Sequence, residues 1–222
     1  MKRNQKKKFF DTRKMVLMAV LIAIQIVLAR YLAIHVNETL RISFETVPLA
    51  FAGMWLGPVG GMVVALVSDL LGTFVYGYGL WFPPIAFGPM VFAAICGWGT
   101  KYIFRSNLSE TKDSWKVIVI TVVAGAINAL AIGVFTTTLY SVVMSGAEFS
   151  FPELMRAFFD GTVVQKVTES ATSGKFQTLL ATNFGARLIS KPFTIAACSV
   201  ITAIIHRTVY RPAISPIVNR NK

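Results

Sequence analysis

The chain has 222 residues, of which 55% are hydrophobic and only 14% are charged, and its formal net charge is +12. Soluble domains carry about 25% charged residues, so this composition excludes a soluble protein and predicts a single integral membrane domain over residues 1–222. The basic residues stand between apolar blocks, as in cytoplasmic loops. Membrane topology therefore explains the charge, and nucleic acid is not an expected partner.

The N-terminal sequence MKRNQKKKFFDTRK predicts a basic cytoplasmic tail over residues 1–13 that is attracted to anionic lipid. An apolar block long enough to span a bilayer follows from about Lys14 to Ile34. A secretory signal can begin in the same way, but every later block is equally apolar, so we expect a first span here. Ala19 and Ala23 are four residues apart, which is the spacing of small residues at helix contacts in membranes.

Residues 40–72 read LRISFETVPLAFAGMWLGPVGGMVVALVSDLLG and contain a break at Gly57-Pro58. Proline lacks an amide donor and favours a helix end, so we predict two short helices, from Glu45 to Leu56 and from Val59 to about Val75. Small residues recur every fourth position, which indicates close packing between membrane helices: Gly53, Gly57, Gly61 and Ala65. The alternative is one ordinary transmembrane helix with scattered glycines.

Asp69 lies inside the second of these blocks, where an ionisable residue is usually functional or bonded to a neighbouring helix. The functional interpretation makes the chain a stand-alone permease driven by an ion gradient, with Asp69 as the proton carrier. The structural interpretation makes Asp69 a hydrogen-bonding partner within the bundle. The sequence leaves both interpretations open.

Residues 76–84, YGYGLWFPP, form a predicted loop that is rich in aromatic residues and glycine. Aromatic side chains are common at the membrane interface, but irregular loops also carry binding groups. Tyr78, Trp81 and Phe82 are therefore candidate ligand contacts, and an interfacial aromatic belt is the alternative.

Three more apolar blocks follow at about residues 84–104, 115–144 and 179–209. The middle block carries polar side chains that could hydrogen-bond a ligand without adding charge. The candidates from this block are Asn128, Thr136 and Tyr140.

Residues 146–177 are polar and predict an extracellular loop that contains one short amphipathic helix. Ser150 and Glu153 fit a capping box at the start of this helix. The apolar face of the helix would lie on the membrane surface or over the bundle, and it comprises Phe151, Leu154, Met155, Phe158 and Phe159.

Most of the 22 Lys and Arg residues lie in the N-terminal tail, in the loop 101–116 and in the C-terminal tail. Because cytoplasmic segments carry such an excess, the charge distribution places these three segments in the cytoplasm. The predicted fold class is therefore an all-α, polytopic protein of the cell membrane, a bundle of six transmembrane helices with both termini cytoplasmic.

Arg187 and Lys191 are four residues apart near the outer end of the last block and share one helical face. Two cations at membrane depth are costly unless they are paired, hydrated or used to bind an anion. We therefore predict a site for a carboxylated ligand, and snorkelling of both side chains to the interface is the alternative. Pro192 is expected to loosen the helix beside them.

Motifs for catalysis are absent from the sequence, which contains no HExxH, no GxSxG and no GxxxxGK[ST]. The two histidines, His35 and His206, lie far apart at predicted helix ends, and Cys96 and Cys198 fall inside apolar blocks. We therefore expect no metal, no cofactor and no enzymatic activity, and any ATP hydrolysis would need separate subunits. An intramembrane enzyme would require a nucleophile–base pair that the sequence does not show.

Three motifs together resemble the substrate-binding S component of an energy-coupling factor (ECF) vitamin transporter, in particular the folate family. They are LRISFETVPLAFAGMWLGPVGG followed by SDLLG, the FPP turn into the fourth block, and ARLISKP at the start of the last block. The resemblance covers nearly the full length in order. Residues 146–177 are longer than in the folate family, which leaves the identity of the vitamin open.

The resemblance implies six helices, both termini in the cytoplasm and a vitamin pocket near the outer face. It also implies that Ala19 and Ala23 dock onto a transmembrane coupling subunit, which is carried by two ATPases. The expected function is a vitamin-binding subunit of an ECF-type ABC importer for folate or a related anionic vitamin. The alternatives are another carboxylated vitamin such as pantothenate, or the ion-coupled permease that uses Asp69.

Overall fold

The computed structural model describes residues 12–31, 34–35, 41–42, 44–76, 81–103, 114–145 and 151–209. Apart from turns, these residues are helical, except for two-residue strands at Ile34–His35 (β1) and Arg41–Ile42 (β2). The strands pair antiparallel, with Ile34 opposite Ile42. The predicted all-α class is confirmed.

Nine α-helices form the described part of the chain, and two π-helical segments extend or join them. A π-helical turn at Gly99–Ile103 continues the fourth helix, and a second one at Ile127–Ile132 joins the fifth helix to the sixth. The helices are α1 Thr12–Arg30, α2 Thr46–Leu56, α3 Pro58–Tyr76, α4 Pro83–Trp98, α5 Ser114–Ala126, α6 Gly133–Met144, α7 Phe151–Phe159, α8 Thr162–Thr172 and α9 Lys175–Val209.

Four helical segments of the described chain are long and apolar enough to cross a membrane: Thr12–Ala29, Pro58–Val75, Ser114–Met144 and Lys175–Val209. The α2 helix has only 11 residues and α4 has 16. The prediction of a polytopic membrane protein is confirmed. The count of six spans and the cytoplasmic location of both termini stay predictions, and the basic tail 1–13 lies almost entirely outside the described residues.

The chain reverses between α2 and α3 at Gly57, whose φ of +87° is rarely adopted by residues with a side chain. The stretch is therefore divided into two helices at the break that the sequence predicts. The α3 helix extends one residue beyond each predicted end, since Pro58 is already its first residue. Although it was expected to be short, it is long enough to cross a membrane.

Glycines bring α2, α3 and α4 into backbone contact. A Cβ atom at Gly53 would collide with the carbonyl oxygen of Ala93, and one at Gly61 would lie 2.8 Å from the Cα of Gly53. Without a hydrophobic driving force between helices in lipid, such close approach supplies van der Waals contact. Two of the four small residues in the predicted ladder thus meet each other directly.

A hydrogen bond of 3.2 Å from Trp55 Nε1 to His206 Nδ1 joins α2 to the end of α9. The Trp55 ring also stacks on Phe51, with the ring centroids 4.4 Å apart. Both cysteines, Cys96 and Cys198, are buried thiols. The rings of Phe51 and Trp55 and both thiols belong to one buried apolar cluster to which α1, α2, α3, α4, α5 and α9 contribute.

A second apolar cluster forms where α7 and α8 pack against α6. Leu154 of α7 is fully buried in it, together with Phe82 and Val143. Phe159, which the sequence placed on the same apolar face, is 86% exposed. The helix ends at this residue and the chain turns at Gly161, so Phe159 is carried away from the cluster.

We expect Gly53→Ala to destabilise the protein, because the added methyl group meets a backbone carbonyl that cannot rotate away. Overpacking of this kind costs about 1–3 kcal/mol, so the thermal unfolding midpoint of the purified full chain in detergent should fall. The matched control is Gly185→Ala on α9, where an added Cβ meets nothing within 4 Å. Equal midpoints for the two variants would contradict the packing described above.

Candidate ligand-binding cavity

A cavity of about 340 Å³ lies between the start of α2, the first half of α4, the α5–α6 segment and the middle of α9. Small-molecule sites in proteins have volumes of about 300–1,000 Å³, so the cavity is large enough for a small organic ligand. Its walls carry two cations, one carboxylate and several hydroxyl groups.

Arg187 of α9 is the best-defined polar group on the cavity wall. Its Nη2 donates to Thr137 Oγ1 at 2.6 Å, and its Nη1 donates to the carbonyl oxygen of Ala129 at 3.4 Å. A guanidinium has more N–H donors than these two bonds use. The side chain is therefore held in place by α6 and the π-helical segment while donors remain for a ligand.

The backbone around Arg187 is shaped to admit it. Ala129 lies in the π-helical segment Ile127–Ile132, and such segments often occur at functional sites. At Gly133, where α6 begins, an added Cβ would collide with the guanidinium. Glycine at this position thus allows the charged group to lie against the helix backbone.

Lys191 follows one turn after Arg187 and also lines the cavity, as does Glu45 at the start of α2. The Thr46 side chain lies within hydrogen-bonding reach of the Cys198 thiol, and both of these residues line the same cavity. The start of α2 and the middle of α9 therefore form a charged wall that contains both signs.

The hydroxyl groups on the cavity wall differ in whether they are already bonded. Thr202 Oγ1 donates to the carbonyl of Cys198 at 2.7 Å, and Ser199 Oγ donates to that of Ile195 at 2.7 Å. Thr194 is buried, and its Oγ1 has no hydrogen-bond partner among the described residues. Because an unpaired buried hydroxyl is costly, Thr194 is suited to pair with a bound molecule.

The α4 helix supplies an apolar wall made of Ile85, Pro89 and Phe92. Phe92 is only 2% exposed. Pro89 lies inside the helix and has no amide hydrogen, so the carbonyl of Ile85 has no partner in the helical ladder. This wall can contact a flat ring.

The structure brings four of the sequence candidates together at one cavity, and they are Asn128, Thr136, Arg187 and Lys191. The Pro192 that follows them is an interior residue of α9, which runs unbroken to Val209. Pro192 cannot donate a backbone hydrogen bond to the carbonyl of Leu188, and the loosening expected there stays a prediction.

Three aromatic candidates lie elsewhere. Phe82 is buried in the second apolar cluster, and its ring meets that of Tyr140 edge to face at 5.5 Å. Trp81 donates its indole N–H to Asp69 Oδ2 at 2.9 Å. None of the three lines the cavity, and Tyr78 lies outside the described residues.

Asp69 is likewise not part of the cavity wall. Its carboxylate accepts the bond from Trp81, which links the last third of α3 to the segment before α4. This is a helix-to-loop contact of the kind that the structural interpretation of Asp69 proposes.

Several lining residues were not selected from the sequence, notably Glu45, Thr46, Phe92 and Thr194. Glu45 was recognisable as the acid that directly precedes the long apolar run, but its position relative to α9 was not. Phe92 resembles any core aromatic in a span, so no sequence pattern distinguishes it. Among the described residues, no group of three or more His, Cys, Asp or Glu is placed to hold a metal ion.

The surface of α1 is largely open, and Ala19 and Ala23 are both exposed. They lie among exposed apolar side chains of the same helix, including Val16, Val20 and Val27. This α1 face, around Ala19 and Ala23, consists of small and apolar residues, and no α1 residue lines the cavity.

Two curated relatives are similar to the chain. The folate transporter FolT of Clostridium novyi (strain NT) is 32% identical over 108 residues, which are 49% of this chain and 60% of that protein. The folate transporter FolT of Leuconostoc mesenteroides is 27% identical over 157 residues, which are 71% of this chain and 78% of that protein. The match thus spans less than two thirds of the Clostridium protein.

A solved structure, the crystal structure of FolT bound with folic acid, is similar with a TM-score of 0.48 and 21% identity. The alignment covers 78% of this chain and 92% of that one. The family described as ECF transporter, substrate-specific component matches residues 13–206. The chain therefore belongs to the substrate-specific components of ECF transporters.

Proposed function

We propose that this protein is the membrane subunit that binds folate or a related anionic vitamin for an ECF-type ABC importer. The observation that carries the proposal is the guanidinium of Arg187, which is held on the cavity wall by Thr137 and Ala129. Lys191 lies one turn away on the same wall. Preorganised cations of this kind favour carboxylates, because charge-assisted hydrogen bonds are the strong ones.

The remaining walls fit a vitamin with a flat ring. Phe92 and Ile85 offer an apolar surface, while Asn128, Thr136 and Thr194 offer neutral hydrogen-bonding groups. Both relatives described above carry the name folate transporter, which favours folate over other anions. Another carboxylated vitamin such as pantothenate is the alternative, and it has no ring to place against Phe92.

The partners we propose are a transmembrane coupling subunit and two ATPase subunits. The chain would dock onto the coupling subunit through the α1 face around Ala19 and Ala23, which is exposed and free of bulky side chains at these two positions. Small residues let helices approach closely in lipid. We place both termini in the cytoplasm because the basic tails favour that side.

We expect Arg187→Ala and Lys191→Ala each to weaken folic acid binding to the purified full chain. Losing a hydrogen bond to a charged group costs about 1.5–3 kcal/mol, or about ten- to a hundredfold in affinity. Isothermal titration calorimetry or tryptophan fluorescence can measure the change. Lys175→Ala is the matched control, because Lys175 is an exposed cation at the start of the same helix. Unchanged affinity in both test variants would refute the site assignment.

Replacing Ala19 and Ala23 with leucine should spare folic acid binding but prevent assembly. The larger side chains would hold the two helices apart at the docking face. The measurement is co-purification of the tagged chain with the coupling and ATPase subunits. Ala196→Leu, at another exposed alanine on α9, should assemble normally. Normal assembly of the double variant would contradict docking through this face.

Uptake of folic acid into liposomes should require added coupling and ATPase subunits together with ATP. Asp69→Asn should leave this uptake largely unchanged, because asparagine keeps an oxygen that can accept the bond from Trp81. Uptake by the chain alone that is abolished by Asp69→Asn would instead support the ion-coupled permease.

A further inference from the structure

Three consecutive threonines on α6 have three different surroundings. Thr136 lines the cavity, and so does Thr137, whose hydroxyl is bonded to Arg187. Thr138 is fully buried and does not line the cavity, and its hydroxyl accepts a bond of 3.0 Å from Asn183 Nδ2. Successive residues of an α-helix are rotated by about 100°. One turn of α6 therefore contacts the cavity, the cation and a second polar side chain of α9.

Thr137 and Thr138 each form a relay of two hydrogen bonds. Each hydroxyl donates to the carbonyl oxygen four residues earlier, at 2.7 Å for Thr137 and 2.8 Å for Thr138. A hydroxyl has only one proton to donate, so each oxygen is left as an acceptor for α9. The donors are Arg187 for the first relay and Asn183, one helical turn earlier, for the second. The two relays differ in that only the first one holds a charged group.

The guanidinium of Arg187 is constrained from three sides. Its Nη2 donates to Thr137 Oγ1 at 2.6 Å, its Nη1 donates to the Ala129 carbonyl at 3.4 Å, and Gly133 lies against it without a side chain. Hydrogen bonds from nitrogen to oxygen are usually 2.7–3.2 Å long, so the bond to Thr137 is the strong one. The position of the guanidinium therefore depends mainly on the Thr137 hydroxyl.

Resting on the proposed function above, we infer that Thr137 is the positioning residue that orients Arg187 for the vitamin carboxylate, whereas Thr138 holds α9 against α6. A binding group has to be kept within about 0.5 Å of its productive geometry by the bonds of its neighbours. Without the Thr137 hydroxyl, the cation loses its best acceptor and turns towards water. Affinity then falls while the Asn183–Thr138 bond still joins the two helices.

The test compares Thr137→Val, which keeps the shape of the side chain but removes the hydroxyl, with Thr137→Ser, which keeps the hydroxyl. In the purified full chain, Thr137→Val should weaken folic acid binding about tenfold, and Thr137→Ser should stay within about twofold of wild type.

The matched control is Thr138→Val, which removes the same group from the neighbouring relay. It should lower the thermal unfolding midpoint at least as much as Thr137→Val does, because the buried relay to Asn183 is lost. Its affinity for folic acid should stay within about twofold of wild type. Equal losses of affinity in Thr137→Val and Thr138→Val would overturn the inference, as would unchanged affinity in Thr137→Val or a loss in Thr137→Ser as large as that in Thr137→Val.

A double-mutant cycle separates positioning from a direct contact between Thr137 and the ligand. Lysine at position 187 keeps the charge but lacks the planar fork that Thr137 orients. In the Arg187→Lys background, Thr137→Val should therefore weaken folic acid binding by a further factor of less than about two. A further loss of about tenfold in that background would overturn the inference, because Thr137 would then act on the ligand without Arg187.

A crystal structure of ligand-free Thr137→Val gives a readout that does not depend on the vitamin. The guanidinium should leave its place against Gly133 and Ala129, while the Asn183–Thr138 bond stays intact. A guanidinium that keeps its place in this variant would overturn the positioning role. Failure of the wild-type chain to bind folic acid would instead overturn the proposed function, and the crystal structure would still decide the role of Thr137.

Discussion

A guanidinium inside an apolar helix bundle is costly unless it has hydrogen-bonding partners, and much of the cavity is arranged around this constraint. The π-helical segment at Ile127–Ile132 places the Ala129 carbonyl near Arg187, the Thr137 hydroxyl accepts a second bond, and Gly133 leaves room for the planar group. The α6 and α9 helices are joined by these contacts and by the bond from Asn183 Nδ2 to Thr138 Oγ1, which is 3.0 Å long. The polar groups of the site therefore also determine how two helices pack.

Much of the fold could be predicted from the sequence because apolar blocks and glycine–proline breaks report directly on helix extent in membranes. The pairing of Arg187 with Lys191 was also predictable, since helical spacing alone puts them on one face. The residues that other helices contribute to the cavity wall were harder to predict. Phe82 and Tyr140 are aromatic, as many ligand contacts are. Whether an aromatic side chain faces a cavity or a packing cluster depends on the rotation of its helix, which the sequence does not specify. Glu45 was visible as a charge, but the α9 residues that line the same cavity are separated from it by most of the chain.

Close backbone packing and ligand binding occupy different parts of the bundle. The α2–α3–α4 contact depends on glycines and leaves no space between the helices, whereas the cavity opens where Pro89 and the π-helical segment interrupt regular helical bonding. In a regular membrane helix the backbone polar groups are already paired with one another, so they are not available to a polar ligand. The irregular turns of α4 and of the α5–α6 segment thus leave space for a ligand, which the tightly packed α2–α3–α4 contact does not.

The length of α9 has a consequence for how a charged vitamin can reach this cavity. Its 35 residues extend about 52 Å, well beyond the roughly 30 Å of a hydrocarbon layer. Arg187 lies about 18 Å from the start of this helix, and the turns before it carry exposed polar side chains such as Gln177, Thr178 and Thr182. In the orientation proposed above, these turns would extend beyond the hydrocarbon layer, and the cation would keep its contact with water until an anion replaces that hydration. Ligand capture would then be an exchange of solvation shells around Arg187.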